Sequence, residues 1–358
     1  MNNQLTAQHI LFGSVEAMLA PETLSDILKR RVSQVSYEPF SSSDSFSGSL
    51  LYNVTTDGER LVLKRSNPAE DWISIASGDH LCRSVRIWQY GLLDRLQPHI
   101  DHVTLAACHD GAGYAILMRD ISDGLFYGKA VTLPMMHSLL DALAAMHSQF
   151  WGDDSLKDPE LGLCTIEQTV KVLWTEHCER YRHDARAVDY VTKGWAALFD
   201  LVQPDVRDAL QALVANPQPL FQALAQFPAT LTHSDYRLGN LALMSATNQV
   251  VAFDWQHAGY VPATICLSWF IMESSFFEIR EAIAEYYRQQ LLARLGQRFD
   301  QAIWQSMLAL GCLVEVLRKG CWLALFYVMP ETEAAEREEI KQVIDSYNDV
   351  VRAGLRWL

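Results

Sequence analysis

Residues 230–255 interrupt a long helical region, and this break restricts the folds open to the chain more than any other feature of the sequence. Two short β-like runs, Leu241–Met244 and Val250–Phe253, lie among polar residues there. On either side of the break, apolar residues recur with helical spacing. The predicted helices before it are Met135–Trp151, Ile166–Tyr181, Tyr190–Val202 and Val206–Ala225. The later part of the chain is therefore predicted to be a helical lobe that contains a small β insert.

The first third of the chain has a different pattern, in which short β-like runs and turns predominate. A helix is predicted near residues 14–31, and a second, long helix from Leu81 to Leu96 has a single apolar face. Asp57-Gly58, between these helices, is a strong hairpin signal. The predicted strands are Val35–Phe40, Ser49–Thr55, Arg60–Arg65, Val103–Cys108 and Tyr114–Met118. They indicate a mostly antiparallel sheet that carries one long helix.

Together these patterns predict an α+β fold of two lobes. We assign residues 1–118 to a small antiparallel-sheet N-lobe, 119–124 to a short hinge, and 125–358 to a larger, mostly helical C-lobe. The length of 358 residues agrees with this division, because single domains are usually shorter.

The net charge of −14 and the cysteine usage limit the classes of function. No basic patch is evident, which argues against a nucleic-acid partner, and the acidity favours solubility over recognition of a cationic substrate. Seven cysteines without a Cys-x-x-Cys pair indicate reduced thiols, and the N-terminus lacks signal-peptide features. The longest apolar runs, Val261–Met272 and Gly320–Met329, are too short to cross a bilayer. We therefore expect a cytoplasmic monomer or homodimer with no membrane partner.

The break contains His233, Asp235 and Asn240 in the pattern H-x-D-x-x-x-x-N, and Asp254 follows Asn240 by fourteen residues. Phosphoryl transfer needs a carboxylate that orients and deprotonates the attacking hydroxyl, and oxygen ligands that hold magnesium on the phosphates. The interval from Asp235 to Asn240 matches that from base to metal-ligand asparagine in kinase catalytic loops. The candidate catalytic residues are Asp235, Asn240 and His233, of which His233 braces the loop. The alternative is that polar turn residues between helices give this spacing by chance.

Lys64 closes the strand-like run Leu61-Val62-Leu63-Lys64, where protein kinases have the lysine that contacts ATP phosphates. With the catalytic segments, this run gives the chain a resemblance to the aminoglycoside phosphotransferase and choline kinase-like superfamily. The segments that carry the resemblance are LVLK (61–64), LMRDIS (117–122), LAAMHSQFW (143–151), THSDYRLGNLAL (232–243) and VVAFDWQHAGYVPA (250–263).

The resemblance implies a bilobal protein-kinase-like fold, with ATP and Mg²⁺ as cofactors and a small-molecule hydroxyl as the acceptor. It implies that Asp235 is the base, that Asn240 and Asp254 bind magnesium, and that Lys64 contacts the ATP phosphates. The backbone of Met118, Arg119 and Asp120 is expected at the adenine. A serine-rich loop within Phe40–Leu50 is expected over the phosphates, with Ser45, Ser47 and Gly48 as its candidates; a plain solvated turn is the alternative there.

Two positions depart from the pattern of that superfamily. Ser84 stands where the long helix normally supplies a glutamate that pairs with the strand lysine, so we predict that Lys64 lacks its usual helix partner. Asp71 could reach Lys64 only if its segment folds back. Cys266 stands where an aspartate normally braces the catalytic loop, so the loop is expected to be held differently.

The acceptor is expected in the helical lobe, facing Asp235. Candidate lining residues are Trp255, Gln256, Trp269 and Glu273. An aromatic cage for a quaternary ammonium group is one reading of these residues, and tryptophans packed in the core of apolar helices are the other. The two departures also keep open a second function, in which the chain is a catalytically weak or inactive kinase-like protein that binds nucleotide or a small molecule.

Overall fold

The computed structural model describes residues 6–40, 47–127 and 129–358 and, of Ser274 and Ser275, the backbone only. Within those residues the chain forms ten β-strands and thirteen α-helices. The strands are β1 (Val35–Phe40), β2 (Leu50–Thr56), β3 (Arg60–Ser66), β4 (Ile100–Asp101), β5 (Thr104–Asp110), β6 (Gly113–Arg119), β7 (Ala229–Thr232), β8 (Leu241–Met244), β9 (Gln249–Ala252) and β10 (Gly259–Pro262). The helices are α1 (Val15–Met18), α2 (Pro21–Leu28), α3 (Trp72–Ser77), α4 (Arg83–Gln89), α5 (Leu133–Gln149), α6 (Ile166–Lys171), α7 (Ala185–Leu201), α8 (Pro204–Ala215), α9 (Gln218–Leu224), α10 (Ala263–Ile271), α11 (Arg280–Leu295), α12 (Trp304–Val328) and α13 (Ala334–Leu355).

One compact unit combines residues of Met1–Met135, Ser155–Leu163 and Leu238–Gln256. Its main sheet has the strand order β1-β2-β3-β6-β5, and each neighbouring pair is antiparallel. Gly58 in the β2–β3 turn has a φ of +98°, a conformation that glycine adopts without strain. The antiparallel sheet predicted from the sequence is therefore confirmed.

Side-chain alternation along β3 and β6 gives the sheet two different faces. Leu63 and Leu117 are buried on one face, in a core that includes Met18 of α1. Successive side chains of a strand point to opposite sides, so Lys64 and Met118 belong to the other face. Burial of the first face stabilises the sheet, while the second face is available for polar chemistry.

A smaller sheet in the same unit has the order β4-β9-β8, with β4 parallel and β8 antiparallel to β9. Its apolar core consists of buried Val103, Ala242 and Val251, with Met118 and Phe253 packed against them. Because Met118 belongs to the main sheet, this core joins the two sheets and fixes where the chain emerges from β9.

The long helix predicted from Leu81 to Leu96 is wrong in its extent. Helix α4 ends at Gln89, and a separate 3₁₀ turn covers Asp94–Leu96. Gly91, just beyond the helix, has a φ of +69°, and a left-handed glycine at this position is a common helix terminator. Residues after the glycine are also buried, so the apolar spacing continues across the break and periodicity alone does not reveal it.

The second compact unit combines Met136–Asp154, Cys164–Arg237 and His257–Leu358. Its central element is α12, which packs against α7, α10 and α13. Strands β7 and β10 form an antiparallel ribbon within this unit. The loop that begins at His233 follows directly after β7, so the ribbon and the helices around it determine the position of that loop.

Two other predicted helices are each divided in the structure. Ile166–Tyr181 comprises α6 and a 3₁₀ segment, Thr175–Tyr181, and Val206–Ala225 comprises α8 and α9. Pro217 separates α8 from α9, because proline lacks the N–H that would continue the helix. The predicted α+β class, a small antiparallel-sheet part with a larger helical part, is confirmed. The division into lobes at residues 118 and 124 stays a prediction.

In the part of the chain that the structure describes, no helix is both long enough and apolar enough to traverse a lipid bilayer.

Candidate active site

Lys64 on β3 and Asp254 after β9 form an ion pair, with 2.7 Å between Nζ and Oδ1. The pair lines a narrow cavity of about 20 Å³, together with Ser84, Met118 and Trp255 among others. The lysine side chain is 15% exposed and the aspartate side chain 35% exposed. The fold therefore brings the expected phosphate-contacting lysine into direct contact with an expected metal ligand that lies 190 residues away in sequence.

Lys64 is held in its charged form. Burial alone opposes the charge, but the negative charge and hydrogen bond of Asp254 outweigh it, and the pKa of Lys64 is raised. The charge of Asp71 acts in the same direction. Ser84 on α4 has a hydroxyl and no carboxylate. The carboxylates that stabilise the charge of Lys64 (Asp254 and Asp71) therefore come from outside α4.

Asp71 is a buried carboxylate at the start of α3, and it is 4% exposed. It accepts the Ser74 N–H at 2.8 Å and the Gln256 side-chain amide at 2.8 Å. Burial raises the pKa of Asp71 to about 6, although the Ser74 N–H and the charge of Lys64 counteract this effect. The chain after β3 thus folds back and places a carboxylate within the electrostatic reach of Lys64.

Asn240 and Asp254 lie at the base of the β8–β9 hairpin. The Asn240 carbonyl accepts the Phe253 N–H at 3.1 Å, one residue before Asp254. Asp254 has a φ of +60°, a left-handed conformation that aspartate tolerates better than most residues. Among the described residues, no group of three or more His, Cys, Asp or Glu side chains has the arrangement of a metal site. A carboxylate and an amide oxygen nevertheless fit Mg²⁺, which commonly takes one or two protein ligands and completes its shell with phosphate oxygens and water.

The segment His233–Arg237 belongs to the helical unit and carries Asp235. His233 is fully buried, and its Nδ1 accepts the Asp235 N–H at 3.3 Å. Tyr236 is also buried, and its hydroxyl donates to the Leu139 carbonyl at 2.8 Å. The Asp235 carboxylate lies 3.4 Å from Nε of Arg237 and is 14% exposed. The residues on both sides of Asp235 are therefore anchored to the protein interior.

Ser234, between His233 and Asp235, is held by contacts from two other helices. Its carbonyl accepts from Nη2 of Arg318 on α12 at 2.9 Å. The N–H groups of Ser234 and His233 lie near enough to the Cys266 thiol on α10 to affect the pKa of that thiol. Burial raises the pKa of the Cys266 thiol to about 12, although these N–H groups lower it, so this side chain is a neutral acceptor. Arg318 thus holds the loop at Ser234, and the expected difference from the superfamily pattern stays a prediction.

Glu315 on α12 is fully buried, and neither of its carboxylate oxygens has a hydrogen-bond partner in the described part of the chain. Burial raises the pKa of Glu315 to about 7; the charges of Lys319 and Arg318 lower it, and those of Asp235 and Glu273 raise it further. The indole Nε1 of Trp269 likewise has no partner there. A buried polar group without a partner is uncommon and calls for an explanation such as a bound ligand or water.

The ring of Trp269 is already covered by two of the protein's own cations. The guanidinium of Arg318 lies 4.6 Å from the ring centroid, and Nζ of Lys319 lies 5.1 Å from it. A quaternary ammonium ligand would have to approach these positive charges. This arrangement argues against an aromatic cage at Trp269 and favours a packing role for this tryptophan.

Of the residues expected to bind the nucleotide, some line the cavity and others pair with charged residues elsewhere. Met118 lines the cavity, whereas Arg119 donates to Asp101 at 2.6 Å and Asp120 pairs with Arg60 at 2.8 Å. The hydroxyl of Ser47 donates to that of Ser49 at 3.1 Å, and the Ser49 hydroxyl is 3.4 Å from Asp71. Gly48 has a φ of +87°. Ser45 lies outside the described residues.

Two of the expected acceptor residues belong to the sheet-containing unit. Trp255 lines the cavity with Lys64, and its indole donates to the Ala252 carbonyl at 3.1 Å. The Gln256 amide donates to Asp71 and, at 3.3 Å, to the Ser74 hydroxyl. The other two, Trp269 and Glu273, belong to the helical unit, and Glu273 is within the electrostatic reach of Glu315.

This protein has the bilobal protein-kinase-like fold. Three features define this class: a small antiparallel-sheet part, a larger helical part and the Lys64–Asp254 pair. The family model described as "Phosphotransferase enzyme family" matches residues 43–303, and the chain belongs to this family. The resemblance expected from the sequence is therefore confirmed. No curated protein matches the chain.

Solved structures of small-molecule kinases are similar to this chain along most of its length. The Plasmodium vivax ethanolamine kinase is 10% identical, with a TM-score of 0.52, and the match covers 87% of this chain and 82% of that one. Spectinomycin phosphotransferase in complex with ADP and spectinomycin is 15% identical with a TM-score of 0.49, and the match covers 94% and 98% of the two chains. Choline kinase from Streptococcus pneumoniae is 12% identical with a TM-score of 0.47, covering 94% and 97%.

Glu315 and Arg318 are the candidate site residues that the sequence motifs do not reveal. Both lie on α12, far along the chain from the catalytic segments, and the pattern around them is that of an apolar core helix. The available signal is that three charged residues, Glu315, Arg318 and Lys319, stand three and four positions apart on one face of a largely apolar helix. Charged residues are rarely fully buried, so their presence on an apolar helix indicates a structural or functional role.

Proposed function

We propose that this protein is an ATP- and Mg²⁺-dependent phosphotransferase that phosphorylates a hydroxyl of a small molecule. The observation that carries the proposal is the Lys64–Asp254 pair in its cavity, since phosphoryl transfer requires a lysine and a metal-binding aspartate at the same phosphates. Bound magnesium would neutralise charge on the phosphate oxygens. Asp254 and Asn240 are the residues that would hold it.

In the proposed reaction, Lys64 binds the ATP phosphates as a fixed cation. Asp235 accepts a hydrogen bond from the acceptor hydroxyl, orients it towards the γ-phosphate and takes its proton. His233 holds the backbone N–H of Asp235 and so helps to direct the carboxylate. Each of these roles is carried by a residue that the surrounding protein holds in a defined conformation.

Titration calorimetry with ATP, with and without Mg²⁺, tests the proposal together with a screen of ATP consumption over a panel of small alcohols, sugars and aminoglycosides. Magnesium-dependent ATP binding followed by phosphorylation of a panel member is the expected result. Binding without any turnover, including hydrolysis, would favour the catalytically inactive binding protein. If ATP does not bind when magnesium is present, the kinase proposal fails.

Asp71 is proposed to replace the helix glutamate as the second carboxylate of Lys64. We expect Asp71→Asn to raise the KM for MgATP by about tenfold, because Lys64 loses a negative charge that keeps it in place when Asp254 is engaged by metal. Steady-state kinetics over a range of ATP concentrations measure the change. Asp79→Asn is the matched control, because Asp79 is equally buried and accepts backbone N–H groups at the start of α4. If both variants change KM equally, Asp71 has no particular role.

The acceptor is proposed to lie against Glu315, with the indole N–H of Trp269 as a second polar contact. A ligand with hydroxyl or amine groups would satisfy the Glu315 oxygens, which accept no hydrogen bond from the described residues. Natural proteins retain a destabilising polar group chiefly where function needs it. Glu315 is therefore expected to lower the stability of the ligand-free protein.

The stability cost of Glu315 should depend on pH. Its pKa is raised from 4.5 to about 7, so between these values the unfolded chain loses the proton while the folded protein keeps it. Stability therefore falls as pH rises from 4.5 to about 7 and remains lower above this range. We expect Glu315→Gln to unfold at a higher temperature than wild type at pH 8, with a gain of up to roughly 3 kcal/mol, and to show little gain at pH 5.

Thermal unfolding at several pH values measures this difference. Glu339→Gln on α13 is the control, because Glu339 is exposed and its neutralisation should not produce a gain that grows with pH. A gain for Glu315→Gln that is the same at pH 5 and pH 8 would show that burial does not perturb this carboxylate.

A further inference from the structure

We infer that Arg318 and Cys266 together position the loop that carries Asp235, in place of the aspartate that the superfamily pattern has at residue 266. The inference rests on the proposed role of Asp235 as the base. It adds two positioning residues that act on the backbone of Ser234 and need not touch a substrate.

Two polar groups of Ser234 are held within the helical unit. Its carbonyl accepts from Arg318 at 2.9 Å and its hydroxyl is 2.7 Å from that of Thr232, while its N–H is near enough to the Cys266 thiol to lower the pKa of that thiol. The φ of Ser234 is +57°, a left-handed conformation that is strained for a residue with a side chain. Such a conformation persists only where the surroundings impose it. The direction of the next residue, Asp235, therefore depends on these contacts.

Arg318 is a buried cation whose one hydrogen bond in the described part of the chain goes to the Ser234 carbonyl. It is 1% exposed, and its Nε and Nη1 have no hydrogen-bond partner among the described residues. Burial lowers its pKa, which reflects the cost of placing a charge there. The negative charges of Glu315 and Asp235 offset part of this cost, and the hydrogen bond to Ser234 and the place over the Trp269 ring add to them.

In the inferred arrangement, Cys266 and Arg318 together replace the contacts that a single aspartate at residue 266 would make. A carboxylate at residue 266 would accept the N–H groups of His233 and Ser234 with a full negative charge. The thiol of Cys266 lies near the same groups and offers a neutral and weaker acceptor. Arg318 adds a charge-assisted bond to the Ser234 carbonyl of the same peptide segment, which strengthens the hold on the loop.

The experiment measures MgATP hydrolysis without any acceptor, together with amide hydrogen exchange of residues 230–238. For Arg318→Met we expect kcat to fall by about 10- to 100-fold, because misplacement of a catalytic group by about 1 Å can cost this much. The KM for MgATP should stay within about twofold, since the proposed nucleotide contacts are unchanged. Exchange of the loop amides should become faster.

Lys319→Met is the matched control, because it removes a cation one residue further along α12 that also lies over Trp269. This variant should retain kcat within about threefold and leave loop exchange unchanged, since the bond to Ser234 remains. Cys266→Ala should lower kcat by about three- to tenfold, and Cys266→Asp should restore it, because the carboxylate accepts the same N–H groups beside Arg318.

The outcomes separate this inference from the proposed function. If Asp235→Asn hydrolyses ATP as fast as wild type, the proposed base is wrong and the positioning role fails with it. If hydrolysis depends on Asp235 while Arg318→Met and Cys266→Ala both keep the wild-type kcat, the positioning role alone is overturned. If Arg318→Met does not fold, the decision rests on Cys266→Ala and its rescue by Cys266→Asp.

Discussion

Asp235→Asn is expected to lower kcat for phosphate transfer from MgATP by about 10³-fold, because the amide cannot take a proton from the acceptor hydroxyl. MgATP affinity should be unchanged, since Lys64, Asn240 and Asp254 are the residues assigned to the nucleotide. The loop should keep its conformation, because the Asp235 N–H still donates to His233 and the Ser234 contacts remain. Single-turnover kinetics with saturating MgATP measure the chemical step directly.

Asp208→Asn is a suitable control for this experiment. Asp208 is an exposed residue on α8, so the substitution makes the same chemical change at the surface. It should leave both kcat and ATP affinity at the wild-type values. A rate for Asp235→Asn within about tenfold of wild type would remove Asp235 from the role of base.

Local sequence patterns are enough to predict the sheet and to identify the candidate catalytic segments, whose role stays a prediction. The Asp57-Gly58 turn and the alternation in Arg60–Arg65 concern neighbours in sequence, and the structure contains the hairpin that they predict. The interval from Asp235 to Asn240 is equally local. Helix ends were less predictable, because the apolar spacing after Gly91 continues although the backbone turns there.

The residues that contact Lys64 and the Asp235 loop from other parts of the chain could not be predicted, since these contacts join segments that are distant in sequence. Asp71 approaches Lys64 only because the chain after β3 folds back into α3. Arg318 reaches the Ser234 carbonyl across 84 residues of sequence. The sequence shows that Ser84 and Cys266 are unusual, but the residues proposed to replace their partners emerge only from the position of α3 for Ser84 and of α12 for Cys266.

Replacing Asp254 should remove magnesium-dependent ATP binding and also destabilise the protein, for two separable reasons. Asp254→Asn loses an expected metal ligand, so activity should fall by at least about 10³-fold. It also leaves Lys64 as a largely buried cation without its 2.7 Å partner, and removal of one member of such a pair is costly. Calorimetry with MgATP and thermal unfolding of the ligand-free protein report the two effects independently.

A double-mutant cycle with Lys64→Met separates the ion pair from the catalytic role. In the Lys64→Met/Asp254→Asn protein neither charge is left alone, so its unfolding temperature should return towards that of wild type, with a coupling of about 1–3 kcal/mol. Activity should remain lost in both single variants and in the double variant, because restored stability does not replace the metal ligand or the phosphate-binding cation. If the double variant recovered activity along with stability, the pair would be structural only. If the two single variants destabilised additively, the contact between Lys64 and Asp254 would not be coupled in solution.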